Sequence, residues 1–306
     1  MYLKRVAKIK KYLPIYFMMV PGILYLLINN YLPMAGIVIA FKKLDWKKGI
    51  FKSDWVGLEN FTYLFKTDDA FIMTRNTILY NLLFITLGMI CAVSVAILLN
   101  EIRSKTAKKL YQSLILLPYL MSMVIISYLA YAILSNETGF LNKSILPLFG
   151  MEPISWYQEK KYWPFILTII NIWKSVGFSC IIYLASIVGI NPEYYEAARL
   201  EGAGKWKQIR YITLPLLMPT VITMFILNIG GIFRSDFGLF YLVPRGSGIL
   251  NSVTQTIDTY VYKGLMQQGN LSMSSAAGVY QSVVGFITIL ASNALVRKLD
   301  KESALF

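Results

Sequence analysis

Residues 191–215 read NPEYYEAARLEGAGKWKQIRYITLP, a polar stretch that lies between two long apolar ones. Its first part predicts a short helix. Asn191 is a favourable N-cap, Pro192 suits the first helical position, and Glu193 lies where the helix dipole favours a negative charge. A helix is therefore expected to begin at this asparagine.

The same stretch also shows where the helix should end. Glycine is common just past a helix C-terminus, so the Gly-Ala-Gly triplet at residues 202–204 is expected to stop it. A second, basic helical piece over residues 205–211 then leads into the uncharged run 212–232. A polar helix–turn–helix between two apolar segments is predicted to lie on a membrane surface.

The composition places the whole chain in a membrane. Of its 306 residues, 56% are apolar and only 15% are charged, whereas soluble domains carry roughly 25% charged residues. The net charge of +14 would suit a nucleic-acid partner. However, the basic residues lie in loops between apolar runs, where they fix topology. We therefore expect contact with membrane lipid and none with nucleic acid.

The apolar residues are gathered into six long runs. Each reaches the roughly 20 residues that a helix needs to cross the hydrocarbon core. The predicted fold class is all-α, a polytopic membrane protein with six transmembrane helices in a single domain spanning residues 1–306. The predicted spans lie within residues 12–41, 77–100, 110–136, 162–190, 212–232 and 276–296.

Loop charges predict the orientation. The loops on the side of residues 191–215 hold 16 Lys and Arg residues, and those on the other side hold 13. The first set is concentrated in short loops close to the spans, where the positive-inside rule acts most strongly. Both chain termini and residues 191–215 are therefore expected to face the cytoplasm.

Residue types exclude several chemistries. The chain has no histidine, which removes histidine-based acid–base catalysis and the usual zinc sites. Cys91 and Cys180 fall inside apolar runs and are expected to stay reduced. No catalytic residue and no metal site are predicted in this chain.

The spacing within residues 191–215 resembles a known motif. Glu196-Ala197-Ala198, then Gly202, then Ile-Thr-Leu-Pro ending at Pro215 is similar to the EAA loop of ABC importer membrane subunits. The resemblance implies a cytoplasmic coupling helix that seats in an ATPase subunit. The chain has no phosphate-binding loop motif, so ATP and Mg would be bound by partner ATPase chains and no cofactor by this one. The residues implied in coupling are Glu193, Glu196, Ala197, Ala198, Gly202, Leu214 and Pro215.

Further segments are similar to the sugar-importer permeases related to LplB and YteP. This resemblance implies the type I ABC importer permease fold and a bacterial cell-membrane location. It also implies an oligosaccharide substrate, a second permease subunit, two ATPase subunits and an extracytoplasmic sugar-binding protein. The sequence departs from the group at Tyr119-Leu120, where the group has histidine followed by an aromatic residue. The matching segments are residues 31–42, 57–61, 75–77, 98–101, 171–174, 182–185 and 257–262.

Polar residues inside the spans are candidates for the substrate pathway. Lys174 is the only charge deep in an apolar run, and charges in a bilayer are costly enough to require a role. Beside Asn171 and Trp173, it is predicted to line the cavity; the alternative is a bond to a backbone carbonyl or to the partner permease.

A second polar group lies near the outer end of the fifth span. Asn228, Arg234 and Asp236 carry side chains suited to sugar hydroxyls. Helix–helix packing is the alternative for Asn228. The following loop, residues 234–275, is long enough to have a function of its own, such as contact with the binding protein.

Rival functions differ in what they require. A secondary transporter needs ion-coupling carboxylates at mid-membrane, and none of the six runs contains Asp or Glu. An intramembrane enzyme needs a nucleophile–base pair or metal ligands, which the runs also lack. An ABC importer for a non-sugar solute remains open, because the EAA loop is shared by both kinds of importer.

Overall fold

The computed structural model describes residues 2–299, and for residues 2–11, 295–296 and 298–299 it describes the backbone alone. Met1 and residues 300–306, which belong to the predicted cytoplasmic termini, lie outside the described residues. Most of the described chain is α-helical. The α-helices are α1 (Tyr2–Leu26), α2 (Leu32–Met34), α3 (Gly49–Lys52), α4 (Glu59–Lys66), α5 (Asp68–Glu101), α6 (Lys105–Leu120), α7 (Met123–Leu134), α8 (Trp163–Val188), α9 (Pro192–Leu200), α10 (Lys205–Gln208), α11 (Leu214–Gly230), α12 (Asn251–Thr254), α13 (Ile257–Met266) and α14 (Leu271–Leu299).

Short segments of π-helix and 3₁₀-helix extend several of these helices or lie between them. Wider π-helical turns lie at Leu27–Tyr31, Leu141–Ile145, Ile209–Thr213 and Gly238–Leu242. Turns of 3₁₀-helix lie at Ala35–Phe41, Leu146–Phe149, Lys160–Tyr162 and Gly248–Leu250. The strands of the described region are β1 (Lys42–Lys43) and β2 (Asp54–Trp55), paired antiparallel. The expected all-α class is confirmed.

Five helical segments of the described chain are long and apolar enough to cross a membrane. A bent pair, α6 and α7, makes a sixth crossing if its two halves are taken as one span. The five are Tyr12–Phe41, Asp68–Glu101, Lys160–Val188, Lys205–Gly230 and Leu271–Ala294.

The outward face of this bundle is apolar. Every side chain from residue 12 to residue 35 is exposed, including Phe17 and Met18. An exposed apolar surface of this extent would be unfavourable in water and suits lipid or another subunit. Since the bundle buries few side chains of its first span, that span is positioned mainly by its end, where residues 35–41 pack on α14.

The centre of the bundle is the pairing of α5 with α8, the most extensive contact between two elements. Small residues on α5, Ala92 and Ala96, are fully buried against Cys180 and Leu184 of α8. Small side chains let two membrane helices approach closely and gain dispersion contacts along their length. Cys180 is buried and Cys91 is half-buried, and neither is joined in a disulfide among the described residues.

The third predicted span is broken. Helices α6 and α7 meet at an angle of 95° across residues 121 and 122. Ser122 caps α7 by accepting a hydrogen bond from the Ile125 amide at 3.3 Å. Pro118 lies in the last turn of α6. The chain therefore turns sharply within a stretch whose apolar character is continuous.

Helix α6 packs on α8 at very short range. A Cβ atom at Gly177 would lie 2.0 Å from the carbonyl oxygen of Ile115. Only glycine allows the two backbones to approach this closely. This contact sets the distance between α6 and α8 next to the break.

The loops between the helices gather at two ends. One end carries the 191–213 segment and the connection between α5 and α6. The opposite end carries the β1–β2 ribbon and helices α12 and α13. It is called the outer end below because the loop charges predict that it faces outward. There Asp258 Oδ2 accepts hydrogen bonds from the backbone amide and the hydroxyl of Ser235, both at 2.7 Å, and Gln281 of α14 donates to the same carboxylate at 3.2 Å.

Candidate functional site

Helix α9 begins as the sequence predicts. The Asn191 side-chain oxygen accepts a hydrogen bond from the Glu193 amide at 3.0 Å, and Pro192 is the first helical residue. The Asn191 amide also donates to Glu193 Oε2 at 3.0 Å. Glu193 therefore binds its own helix cap, near the positive end of the helix dipole.

The end of α9 is also as predicted, and its geometry requires glycine. Gly202 has φ +78°, a left-handed conformation that residues with a Cβ rarely adopt. Its amide donates to Arg199 O at 3.0 Å, and the Ala203 amide donates to Ala198 O at 2.8 Å. This pair of bonds is the Schellman motif, which satisfies carbonyls at the helix C-terminus.

Two hydrogen bonds attach the α9 turn to the next span. The Tyr195 hydroxyl lies 2.9 Å from Thr213 Oγ1, directly before α11 begins. The Gln208 side chain donates to Ala203 O at 2.8 Å and is almost fully buried. Because α10, the π-turn at 209–213 and α11 follow one another without a break, the turn and the fifth span form one continuous unit.

An ion pair attaches the same segment to α5. Lys205 Nζ lies 2.5 Å from Glu101 Oε2, at the C-terminal end of α5. Both side chains are partly exposed, so the pair contributes only about 0–1 kcal/mol. Its value is geometric, because it joins the α9–α10 segment to a second membrane helix.

The surface of α9 is open and mixed in character. Leu200, at the end of α9, is 91% exposed, and Trp206 of the neighbouring α10 is 83% exposed. Glu196 and Arg199 line a cavity of about 1010 Å³ beside the ends of α5 and α8. Of the two predicted alanines, the first is exposed and the second is half-buried. Exposed apolar side chains beside charged ones are the composition expected of a surface that binds another protein.

The last two residues of the predicted coupling motif lie at the start of the fifth span. Leu214 and Pro215 are the first two residues of α11. Leu217, one turn further on, is fully buried in the cluster between α5 and α8. The predicted motif therefore ends where the fifth span enters the core.

A second cavity, of about 340 Å³, lies among α5, α8 and α11. Three of the residues predicted for the substrate pathway line it, one from α8, one from α11 and one from the loop that follows α11. The lining residues are Asn81, Phe84, Ile85, Gly88, Met89, Asn171, Ser175, Ser179, Tyr183, Met224, Leu227, Asn228, Gly231 and Asp236.

The polar side chains in this cavity differ in how free they are. Asn228 Nδ2 donates to Met224 O of its own helix at 2.6 Å. Asp236 Oδ1 accepts from the Leu239 amide at 3.1 Å. The side-chain amide of Asn171 has no hydrogen-bond partner within residues 2–299, so it retains both donor and acceptor capacity toward the cavity.

The other three predicted pathway residues lie elsewhere. Trp173 lines an apolar cavity on another face of α8, against α7. Lys174 Nζ donates to backbone carbonyls at the break between α6 and α7. The Arg234 carbonyl accepts a bond from Asn81 at 3.0 Å, and its side chain is not among the cavity lining.

Sequence reasoning missed several lining residues on α8. Ser175, Ser179 and Tyr183 follow Asn171 at intervals of four residues. Residues four apart share one face of a helix. That polar stripe is visible in the sequence as a repeat of hydrogen-bonding side chains in an otherwise apolar run, and it would have identified the cavity face.

Comparison with known proteins matches the chain to a family of transport proteins and to a relative with a transport role. Residues 84–301 match the family described as binding-protein-dependent transport system inner membrane component. The chain is 36% identical over 293 residues to YteP of Bacillus subtilis (strain 168), a polygalacturonan/rhamnogalacturonan transport system permease protein. That alignment covers 96% of this chain and 90% of the relative.

Solved structures agree with the sequence comparison. A chain of a bacterial ABC transporter that imports the acidic polysaccharide alginate matches with a TM-score of 0.88 and 30% identity, over 97% of this chain and 99% of that one. A chain of the bacterial alginate transporter in complex with an alginate pentasaccharide-bound periplasmic protein matches with a TM-score of 0.86 and 30% identity, over 96% and 98% of the two chains.

Proposed function

Because the chain belongs to the family of binding-protein-dependent transport system inner membrane components, we propose that it is a permease subunit of an ATP-driven importer for oligosaccharides. Support for the substrate class comes from the relatives, which carry polygalacturonan, rhamnogalacturonan or alginate. The chain performs no covalent chemistry. It forms part of the translocation pathway and transmits the movement of the ATPase subunits to that pathway.

The cavity among α5, α8 and α11 is the proposed pathway. It carries hydroxyl and amide groups, including the Asn171 amide, which has no hydrogen-bond partner among the described residues. Sugars are bound by hydrogen bonds of this kind in a setting that excludes bulk water. A second permease subunit is proposed to supply the opposite wall. A sugar-binding protein would dock on the outer end.

Helix α9 is the proposed contact with the ATPase. Two ATPase subunits would bind ATP and Mg, and their closure would move the α9 helices of the two permeases together. The exposed Leu200 and Trp206 supply apolar contact area, and Glu196 supplies charge. These are the features that a cleft on a partner protein recognises.

One observation carries the proposed coupling. The α9–α10 segment is joined to α11 through Tyr195 and Thr213 and to α5 through Lys205 and Glu101. Both α5 and α11 line the membrane cavity. A displacement of α9 by the ATPase is therefore transmitted to two walls of the pathway, which is what alternating access requires.

The function is tested by reconstitution. Proteoliposomes that contain both permeases and the ATPase are supplied with ATP inside and sugar-loaded binding protein outside. We expect ATP-dependent uptake of a labelled oligosaccharide and stimulation of ATP hydrolysis by the loaded binding protein. Uptake of a non-sugar solute without uptake of any oligosaccharide would replace the proposed substrate class with the rival one.

The proposed orientation has its own test. Single cysteines at Lys207 and Ile249, both exposed and at opposite ends of the bundle, are introduced after Cys91 and Cys180 have been replaced. We expect a membrane-impermeant thiol reagent to label position 207 only in inside-out vesicles and position 249 only in right-side-out vesicles. Labelling of position 207 from outside would contradict a cytoplasmic α9.

A further inference from the structure

Two adjoining cavities at the outer end share one side chain, Arg245. The larger cavity, about 600 Å³, lies between the segment after α7 and the segment before α8. The smaller, about 280 Å³, lies against α7. The larger is lined by Tyr131, Ser135, Asn136, Glu137, Thr138, Tyr157, Pro244, Arg245 and Ser247. The smaller is lined by Val124, Ser127, Tyr128, Tyr241, Leu242 and Arg245.

The backbone holds Arg245 in an uncommon conformation. Its φ is +57°, in the left-handed region that residues with a Cβ seldom occupy. The turn is fixed by hydrogen bonds from the Arg245 amide to Leu242 O at 3.0 Å and from the Gly246 amide to Tyr241 O at 2.9 Å. These bonds fix the backbone of the turn, and the exposed Arg245 side chain lines both cavities.

The guanidinium of Arg245 is oriented but unpaired. Its central carbon lies 4.1 Å from the centroid of the Tyr131 ring, which supports one face of the group. The ion pairs found among the described residues involve other side chains. Stacking on a ring leaves the N–H donors at the guanidinium edge free, and their fork matches a carboxylate in geometry and charge.

A second donor lies in the same cavity. The Tyr157 hydroxyl is buried and has no hydrogen-bond partner within the described part of the chain. Burial raises the pKa of Tyr157 to about 12, although the charge of Arg245 opposes that shift. The hydroxyl is thus protonated at neutral pH. A buried hydroxyl without a partner is costly. Because this oxygen has almost no accessible surface, the Tyr157 side chain must rotate before its hydroxyl can donate to an acceptor in the cavity.

Aromatic rings line both cavities. Tyr131 and Tyr157 line the larger cavity, and Tyr128 and Tyr241 line the smaller one. Rings suit the apolar faces of sugars, whereas a free phosphate or a lipid headgroup gains little from them. A cation between two ring-lined cavities matches a chain of sugar rings that each carry a carboxylate.

We propose that the two cavities around Arg245 form an entrance subsite for acidic oligosaccharides, in which Arg245 binds a uronate carboxylate. This subsite rests on the proposed function and narrows its substrate class. Glu137, exposed on the lining of the larger cavity, opposes an anionic ligand. The preference for an acidic over a neutral oligosaccharide therefore depends on the attraction by Arg245 and the repulsion by Glu137.

The subsite is tested by direct binding to the assembled importer in nanodiscs, without the binding protein. The probes are trigalacturonate and its fully methyl-esterified form, which keeps the rings and lacks the charge. Calorimetric titration should show about tenfold tighter binding of the acid, the ratio expected of one charge-assisted pair. Arg245→Gln should bring that ratio close to one, and Glu137→Gln should increase it.

Arg245→Lys is the informative second variant, because it retains the charge without the planar fork. It should recover only part of the selectivity. Equal binding of acid and ester by the wild-type complex, or unchanged selectivity in Arg245→Gln, would overturn the subsite. Loss of complex assembly in Arg245→Gln would instead identify a permease contact and would also overturn it. Uptake of neutral oligosaccharides, measured after the same purified complexes are reconstituted in proteoliposomes, shows separately whether the proposed function stands.

Discussion

The ammonium nitrogen of Lys174 lies 2.7 Å from the carbonyl oxygen of Met121, at the break between α6 and α7. It also donates to Tyr119 O at 3.1 Å and to Pro118 O at 3.5 Å. The last carbonyls of a helix have no partner within it, and a bilayer offers no water to replace one. Lys174 therefore satisfies the end of α6, and its position in an apolar run has a structural reason.

We expect Lys174→Met to destabilise the importer. The substitution removes the donor from carbonyls for which a bilayer offers no replacement, which typically costs about 1–3 kcal/mol. The melting temperature of the purified complex should fall, and transport should fall in proportion to the assembled fraction. Lys109→Met, at an exposed lysine of α6, should leave both unchanged. If the Lys174→Met complex had a wild-type melting curve and lost only transport, Lys174 would be assigned to the substrate pathway instead.

Gly177 provides a test of the α6–α8 contact. Gly177→Ala places a methyl group 2.0 Å from a backbone oxygen of Ile115, and a backbone atom cannot move aside as a flexible side chain can. Overpacking of this kind costs about 1–3 kcal/mol.

The matched control is Gly278→Ala in α14, where nothing lies within 4 Å of the added Cβ. Alanine there should be neutral or slightly stabilising, since glycine is the weaker helix former. The two variants are compared by detergent melting of the complex. Equal melting temperatures would mean that α6 and α8 separate easily at this point.

How far the sequence predicts this structure depends on the range of the interactions involved. The two ends of α9 were predicted, because the cap at Asn191 and the stop at Gly202 are formed by neighbouring residues. The break in the third span was not predicted. Hydropathy measures how apolar a stretch is and carries no information on the direction of the helix axis. Met121 and Ser122 lower the hydropathy of the stretch too little to mark the bend.

The membrane cavity shows the same limit. The sequence pointed to Asn171, Asn228 and Asp236, which line it, but also to Trp173 and Lys174, which lie on other faces of α8. Adjacent residues on a helix point about 100° apart, so proximity in sequence is a poor guide to sharing a cavity. The partner of Lys174 lies 53 residues away in sequence and is a backbone atom, which no side-chain pattern reveals.

A substitution at Gly202 tests the backbone conformation of the turn after α9 separately from the contacts that α9 makes. Nothing lies within 4 Å of an added Cβ there, so Gly202→Ala acts only through its φ of +78°. The expected cost is about 1 kcal/mol, with weaker attachment of the ATPase in detergent. Gly204→Ala is the matched control, since that residue has φ −69° and equally open surroundings. A wild-type ATPase content in Gly202→Ala would show that the turn tolerates a Cβ.

Glu196 tests the contact itself. Glu196→Lys reverses the charge of an exposed side chain on α9 without touching a span. If Glu196 pairs with a basic residue of the ATPase, losing that pair costs about 2–5 kcal/mol, and sugar-stimulated ATP hydrolysis should disappear. The variant should still insert and melt normally. Glu152→Lys, exposed at the outer end, serves as the control. Unchanged stimulation in both variants would contradict α9 as the ATPase contact.

The last prediction separates the two faces of α8. Asn171 presents to the membrane cavity a side-chain amide with no hydrogen-bond partner among the described residues, whereas Trp173, two residues later, lines an apolar cavity against α7. If the first cavity carries the sugar, Asn171→Leu removes a hydrogen bond worth about 1 kcal/mol, which corresponds to roughly a fivefold loss in rate. Uptake at saturating sugar-loaded binding protein should fall by that factor, while assembly and melting stay at wild-type values. Trp173→Phe should transport normally, because it keeps an aromatic ring in an apolar site. If the two variants lost transport equally, or if Trp173→Phe alone did, the sugar would pass along the α7 face of α8 and the cavity among α5, α8 and α11 would not be the pathway.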